Sequence, residues 1–260
     1  MPAVRVPARS ERPRVPEDER PPPAPDLSGP AWLELLAEGE LEVLGRLPWS
    51  SNYSFLAAVR LRGIDQRAVY KPGRGERPLW DYPGGLFRRE VAAYELSAAL
   101  GLGIVPETVL RQKGPHGQGS VQRFIDADFA EHYFTLLNEP VYHAQLRRIA
   151  AFDLLANNGD RKGGHLIIDG ERRIWGIDHG LCFHADPKLR TVMWDFAGEE
   201  LPAEVLAGCE LVVASIPDTV GALLEPDECA ALRKRAAGLL RRPLFPSPRD
   251  DYRSYPWPLV

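Results

Sequence analysis

Cysteine, methionine and lysine are all scarce in this chain, and long apolar runs are missing. The three cysteines, Cys182, Cys209 and Cys229, are odd in number and widely spaced. They make neither a disulfide framework nor a metal-ligand spacing, and point to reduced thiols in a cytoplasmic protein. No stretch approaches the roughly twenty apolar residues of a membrane span, and the N-terminus carries no apolar signal-peptide core. Excess positive charge is absent too: 32 Lys+Arg against 36 Asp+Glu leave a net charge of −4. No global field therefore draws the chain to nucleic acid or to an anionic bilayer. Only 5 of the cations are lysines against 27 arginines, a usage associated with GC-rich bacterial genomes, which makes each lysine more noticeable.

What is present suits a globular fold. With 260 residues, 44% of them hydrophobic, the chain can build one large domain or two lobes around a cleft. Residues 1–29 are rich in proline and charge and cannot bury enough apolar surface to offset ordering entropy, so a disordered leader is expected. A short helix at 32–37 and apolar runs at 41–44, 55–61 and 68–70, separated by turn residues, suggest a small antiparallel sheet. A Gly/Pro-rich loop, 72–85, leads to an amphipathic helix at 86–100, and strands follow at 108–111 and 120–125. Helical spacing then takes over, at 131–137, 141–156, 203–215, 219–224 and 227–240. The resulting division is an N-lobe at 30–126, a C-lobe at 127–242 and an irregular tail at 243–260.

The most informative run is Asn158-Gly159-Asp160-Arg161-Lys162-Gly163-Gly164-His165, followed by Ile177-Asp178-His179-Gly180. Strands at 166–169 and 173–177, folded into a hairpin around Gly170, would bring Asp160 and Asp178 together. Phosphoryl transfer wants such a pair: one carboxylate orients or deprotonates the attacking hydroxyl, the other holds the divalent ions on the nucleotide phosphates. A β-rich lobe with one helix, joined to a helical lobe whose first hairpin carries acidic residues, is the organisation of a kinase fold. The fold class expected is therefore α+β, bilobal and protein-kinase-like.

Other positions fit that scheme. Lys71 ends the third strand, where it would meet nucleotide phosphates and pair with a glutamate on the following helix. Glu90 and Glu95 compete for it; five residues apart, they sit about 140° apart around a helix, and Glu90 is favoured. The loop 48–54 between the first two strands has no Gly-x-Gly-x-x-Gly, so Ser51 and Asn52 are the candidate phosphate donors there. His165, five after Asp160, is either a second metal ligand, which would suit Mn²⁺ or Zn²⁺ better than Mg²⁺, or a loop-stabilising hydrogen-bonding residue. Asp153 is a candidate to orient the catalytic loop, Arg161 to steady it, and His179 and His184 are read as structural.

These residues resemble the phosphatidylinositol 3-/4-kinase-like branch of the kinase superfamily, closest in motif to type II phosphatidylinositol 4-kinases. That branch carries Asp-Arg-x-x-x-Asn and Ile-Asp-x-Gly, read here as Asp160-Arg161-Lys162-Gly163-Gly164-His165 and Ile177-Asp178-His179-Gly180. Val69-Tyr70-Lys71-Pro72 and Gly119-Ser120-Val121-Gln122 are similar to its lysine strand and its strand into the adenine hinge. The resemblance covers roughly residues 40–200. It implies an ATP-dependent phosphotransferase using Mg²⁺ or Mn²⁺. Lys71, Glu90 and Asp160 would be catalytic; Ser51, Asn52, Gln122, Phe124 and Ile125 would join Lys71 around the nucleotide; Asp178 and His165 would bind metal. The acceptor is a hydroxyl compound of unresolved class, since no cysteine-rich palmitoylation cluster or basic-aromatic patch supports a lipid. The departure at His165 leaves open a nucleotide-binding pseudokinase or scaffold, and an altered phosphate orientation would give adenylyl transfer.

Overall fold

In the computed structural model, residues 27–47, 53–248 and 254–260 are described. The N-terminal half is a five-stranded antiparallel sheet of order β1-β2-β3-β5-β4, with β1 at Glu40–Arg46, β2 at Phe55–Leu61, β3 at Ile64–Pro72, β4 at Thr108–Arg111 and β5 at Gly119–Arg123. Strand alternation divides its side chains between two faces. Ala57, Val59, Ala68, Tyr70 and Val121 point to one face, where Trp32, Leu35 and Leu36 of helix α1 (Gly29–Glu38) cover them. The opposite face carries Val69 and Lys71, paired in register with Gln122 and Ser120. Helix α2 (Leu86–Ala99) packs against β4 and β5. The expected leader lies outside the described residues up to 26; Leu27 already packs on the α1 cluster and α1 starts at Gly29, so residues 27–29 belong to the fold.

The C-terminal half is mainly helical. The expected helix at 131–137 is a single turn, α3 (Tyr133–Leu136), held by the reciprocal bonds of Thr135 with the His132 backbone. It is followed by α4 (His143–Ala156), α5 (Ala203–Ala214), α6 (Asp218–Gly221) and α7 (Pro226–Arg241). Leu146, Ile149, Phe152 and Leu155, spaced three apart on α4, are fully buried at the centre of the larger core. Between α4 and α5 stands a hairpin of β6 (Leu166–Ile168) and β7 (Ile174–Gly176). Its alternation serves two cores: Leu166, Ile168 and Ile174 enter the helical one, while Ile167 and Trp175 join Ile125 in a small cluster at the lobe junction. No helix among the described residues is long and apolar enough to cross a membrane.

The lobes are tied together. Arg89 on α2 and Glu228 at the start of α7 are both buried and ion-paired, and the free oxygen of Glu228 accepts the Glu225 N–H at 3.0 Å. Breaking a buried pair strands the remaining charge, so Glu228→Ala should destabilise the fold by about 3 kcal/mol, read as a lower denaturation midpoint. A second tie is the loop from Gly73 to Gly85. Asp81 pairs with Lys188 at 3.3 Å, and the Tyr82 hydroxyl donates to Leu181 O at 3.3 Å.

Candidate active site

A cleft of about 380 Å³ opens between the lobes, lined among others by Lys71, Glu90, Asp160, Lys162, His165 and Asp178. Lys71 reaches it because β3 turns alternate residues toward this face. Its ammonium donates to Glu90 Oε1 at 2.6 Å and also contacts Asp178 Oδ1. Of the two glutamates weighed on α2, Glu90 is thus the one that meets the lysine. Its other oxygen accepts the backbone N–H of His179 at 3.0 Å, so one buried carboxylate fixes both Lys71 and the turn after Asp178. Burial works against the Lys71 charge, but Asp178 and Glu90 outweigh it and raise the lysine above its ordinary pKa.

Asp178 has a left-handed backbone, φ 60°, at the end of β7. That conformation costs a non-glycine residue roughly 1–2 kcal/mol and is kept here by the bonds on either side, Arg161 to Ile177 O at 2.8 Å and His179 N–H to Glu90. It turns the carboxylate into the cleft, where the side chain stays 43% exposed. Burial would push its pKa up, yet Lys71 and His165 hold it below the usual carboxylate range. His165 Nε2 lies 3.4 Å from Asp178 Oδ2, and its Nδ1 accepts the Lys162 N–H at 3.4 Å. Burial lowers the imidazole to about 4 against the opposing pull of Asp178, so it is neutral at neutral pH.

The loop bearing Asp160 is built from beneath. α4 stops at Asn157, whose left-handed backbone (φ 55°) ends the helix. The Asn157 side chain binds His184 O, Asp186 O and Lys188 N–H, all within 2.9 Å. Asn158 donates to Asp153 and accepts the Asp160 N–H, each at 3.0 Å. Arg161, fully buried, spans Asp153 with two bonds of 2.7 and 3.0 Å and also reaches Ile177 O, His165 O and His179 Nε2. The guanidinium therefore links the Asp160 loop to the Asp178 turn. The Asp160 carboxylate faces Lys162 Nζ at 3.2 Å. Burial raises its pKa, Lys162 opposes that rise, and the charge of Asp178 adds to it.

Sequence reasoning placed Lys71, Glu90, Asp160, Asp178 and His165 in one site, and the structure brings all five to one cleft. Ser51 and Asn52 lie outside the described residues. Gln122, Phe124 and Ile125 are not among the residues that line this cavity. The Gln122 amide is buried and donates to Thr108 at 2.9 Å, Phe124 stacks with Arg67, and Ile125 packs with Ile167 and Trp175. Tyr82, Arg190 and Trp257 went unnoticed in the sequence. Tyr82 could have been suspected as an aromatic in a Gly/Pro-rich loop, but nothing in the sequence signals its contact. A Cβ on Gly159 would lie 2.2 Å from the Tyr82 hydroxyl, so the Tyr82 ring must shift to admit any larger residue before Asp160. Gly159→Ala is expected to cost about 1–3 kcal/mol of stability. Adding Tyr82→Phe should return most of it; simple additivity in thermal denaturation would contradict the contact.

Taken together, the five-stranded lobe, the lysine–glutamate pair and the aspartate turn on its hairpin define a bilobal protein-kinase-like fold. Solved structures agree: the hydra Fam20 structure with sugar aligns with a TM-score of 0.55 at 12% identity over 81% of this chain and 86% of that one. The Golgi casein kinase with Mn/ADP bound aligns with 0.53 at 13% identity over 89% and 80%. The chain belongs to the family of protein Rv2133c of Mycobacterium tuberculosis, to which it is 39% identical over 266 aligned positions, 86% of this chain and 94% of that protein. No protein-family model matches it.

Proposed function

We propose that the protein is an ATP-dependent phosphotransferase acting on a hydroxyl acceptor. The observation that carries this reading is the Lys71 ammonium held between Glu90 and Asp178, in the cleft that Asp160 also lines. Lys71 binds the nucleotide phosphates, and Glu90 keeps its ammonium aimed. Asp160 receives the hydroxyl proton as the acceptor oxygen bonds to the γ-phosphorus and the bond to the β,γ-bridging oxygen breaks, releasing ADP. The motifs support a place in the phosphatidylinositol 3-/4-kinase-like branch, and the absence of a membrane-spanning helix among the described residues suits work in the cytoplasm.

The fold suggests a divalent ion, and the Golgi casein kinase neighbour carries Mn with ADP. Among the described residues no group of three His, Cys, Asp or Glu side chains could hold a metal alone. Asp178 and the adjacent His165 nitrogen fit a site that nucleotide phosphate oxygens complete. Mg²⁺ or Mn²⁺ bound there would neutralise charge on the phosphates. With Nδ1 accepting the Lys162 N–H, Nε2 carries the proton, donates toward Asp178 and positions it; ligation through Nε2 requires the other tautomer, which gives up the Lys162 bond. His165→Asn should shift the metal preference from Mn²⁺ toward Mg²⁺, measured as the ratio of the two rates.

The pH dependence has a defined sign. Transfer needs ionised Asp160 and falls as pH drops through its pKa. Lys162→Met removes the cation that opposes the rise, so the acid limb of the pH–rate profile should move to higher pH. An unmoved limb would remove Asp160 from the base role. A nucleotide-binding scaffold is the second reading, favoured by His165 where the related motif has Asn. Stabilisation by ADP and metal without phosphate transfer under Mg²⁺ or Mn²⁺ would establish it.

A further inference from the structure

The cleft continues past Asp160 onto a side where Lys162, Arg190 and Trp257 stand. Lys71 and Lys162 each face a carboxylate, whereas no ion pair engages the half-buried Arg190 guanidinium among the described residues. The Trp257 side chain is 85% exposed, yet the backbone around it is fixed. Ser254 O accepts from Thr191 N–H at 3.1 Å and from the Trp194 indole at 3.2 Å, and Leu259 O accepts from Gly163 N–H at 2.7 Å. A bare indole on hydrogen-bonded backbone, lining the same cavity as an unpaired cation, is a platform for an anion that also has an apolar face.

The same backbone disfavours a peptide. Residues 190–192 run beside the catalytic loop, and their three successive N–H groups are taken, by Asn158 O at 2.9 Å, Ser254 O at 3.1 Å and Arg161 O at 3.1 Å. An extended acceptor cannot add to that segment as a strand. On the other flank the Asp81–Lys188 and Tyr82–Leu181 contacts join the lobes. The cleft volume falls in the range of small-molecule sites.

We infer that the acceptor is a small soluble anionic carbohydrate, a sugar phosphate or sugar acid. Its anionic group pairs with Arg190 and its C–H face packs on Trp257. This rests on the phosphotransferase reading. The sugar hydroxyl oxygen bonds to the γ-phosphorus of ATP, the β,γ-bridging oxygen leaves with its electron pair as part of ADP, and the proton passes to Asp160. The product is a phosphate monoester.

The test uses the full chain with ATP and Mg²⁺ or Mn²⁺. Parallel arms contain hexose and pentose phosphates, uronic and aldonic acids, the neutral parent sugars, a mixed peptide library, and vesicles containing phosphatidylinositol. ADP release is followed, and the new monoester is read by ³¹P NMR. ADP release above the acceptor-free rate is expected in an anionic-sugar arm, with the neutral parent much weaker; the phosphate and acid arms tell the two anionic groups apart. Arg190→Gln should raise the acceptor KM about tenfold or more, with partial rescue by Arg190→Lys. Trp257→Ala should raise the same KM, and its exposed position keeps the test valid if Arg190→Gln misfolds. Labelling of peptide or vesicles instead of sugars, equal use of neutral parents, or a raised KM for ATP rather than acceptor would overturn the inference. Silence in every arm while acceptor-free ATP hydrolysis continues overturns it too, and leaves the phosphotransferase reading standing. Absence of both nucleotide binding and ADP formation overturns that reading and the inference together.

Discussion

Asp178→Asn is expected to lower metal-dependent ATP turnover on the order of 10³-fold while leaving the fold intact, the scale seen when one preorganised group stabilising transition-state charge is lost. The side chain is 43% exposed to the cleft and supports no core packing. Its two oxygens meet Lys71 and His165, and Lys71 retains Glu90 when Asp178 is neutralised. A variant with unchanged circular dichroism and melting but no turnover is the outcome expected. Turnover within a few-fold of the parent would contradict the metal-holding role.

Asp153→Ala is expected to cost about 5 kcal/mol, at the upper end for a broken buried ion pair. Arg161 is 0% and Asp153 1% exposed in their side chains, so the guanidinium left behind has no route to water. Asp153 also accepts from Asn158, which in turn receives the Asp160 N–H. The loss therefore reaches the catalytic loop as well as the core. The check is a denaturant titration: a large fall in midpoint is expected, and a change under 1 kcal/mol would show that Arg161 finds other support.

The main architecture was legible because its signals are local. Apolar runs between turn residues marked β2 and β3, the position of Lys71 at a strand end followed from them, and helix phase separated Glu90 from Glu95. The two aspartates were legible because a short hairpin leaves few ways to connect them. Asp153 and Arg161 could be suspected as loop supports, but their full burial could not, since burial depends on how segments distant in sequence pack around them. The tie between Arg89 and Glu228 joins positions far apart in sequence, each an ordinary helical charge when read alone. Tyr82 sits in a loop with no periodicity, and its approach to Gly159 is a tertiary event. Trp257 is equally silent: a tail rich in proline and aromatics says nothing of where it docks. The one-turn α3 is shorter than the expected helix mainly at its start, because His132 takes the extended N-cap conformation that the Thr135 hydroxyl holds.

The most direct test of the central claim is a paired label experiment with ATP carrying ³²P at either the γ or the α position. The protein, Mg²⁺ or Mn²⁺, and an acceptor mixture are incubated with each, and the acceptors are weighed by mass spectrometry. Phosphoryl transfer predicts label from the γ position alone, a gain of about 80 Da and dependence on Asp178. Label from the α position with a gain of about 329 Da, or no covalent label from either nucleotide, would contradict it.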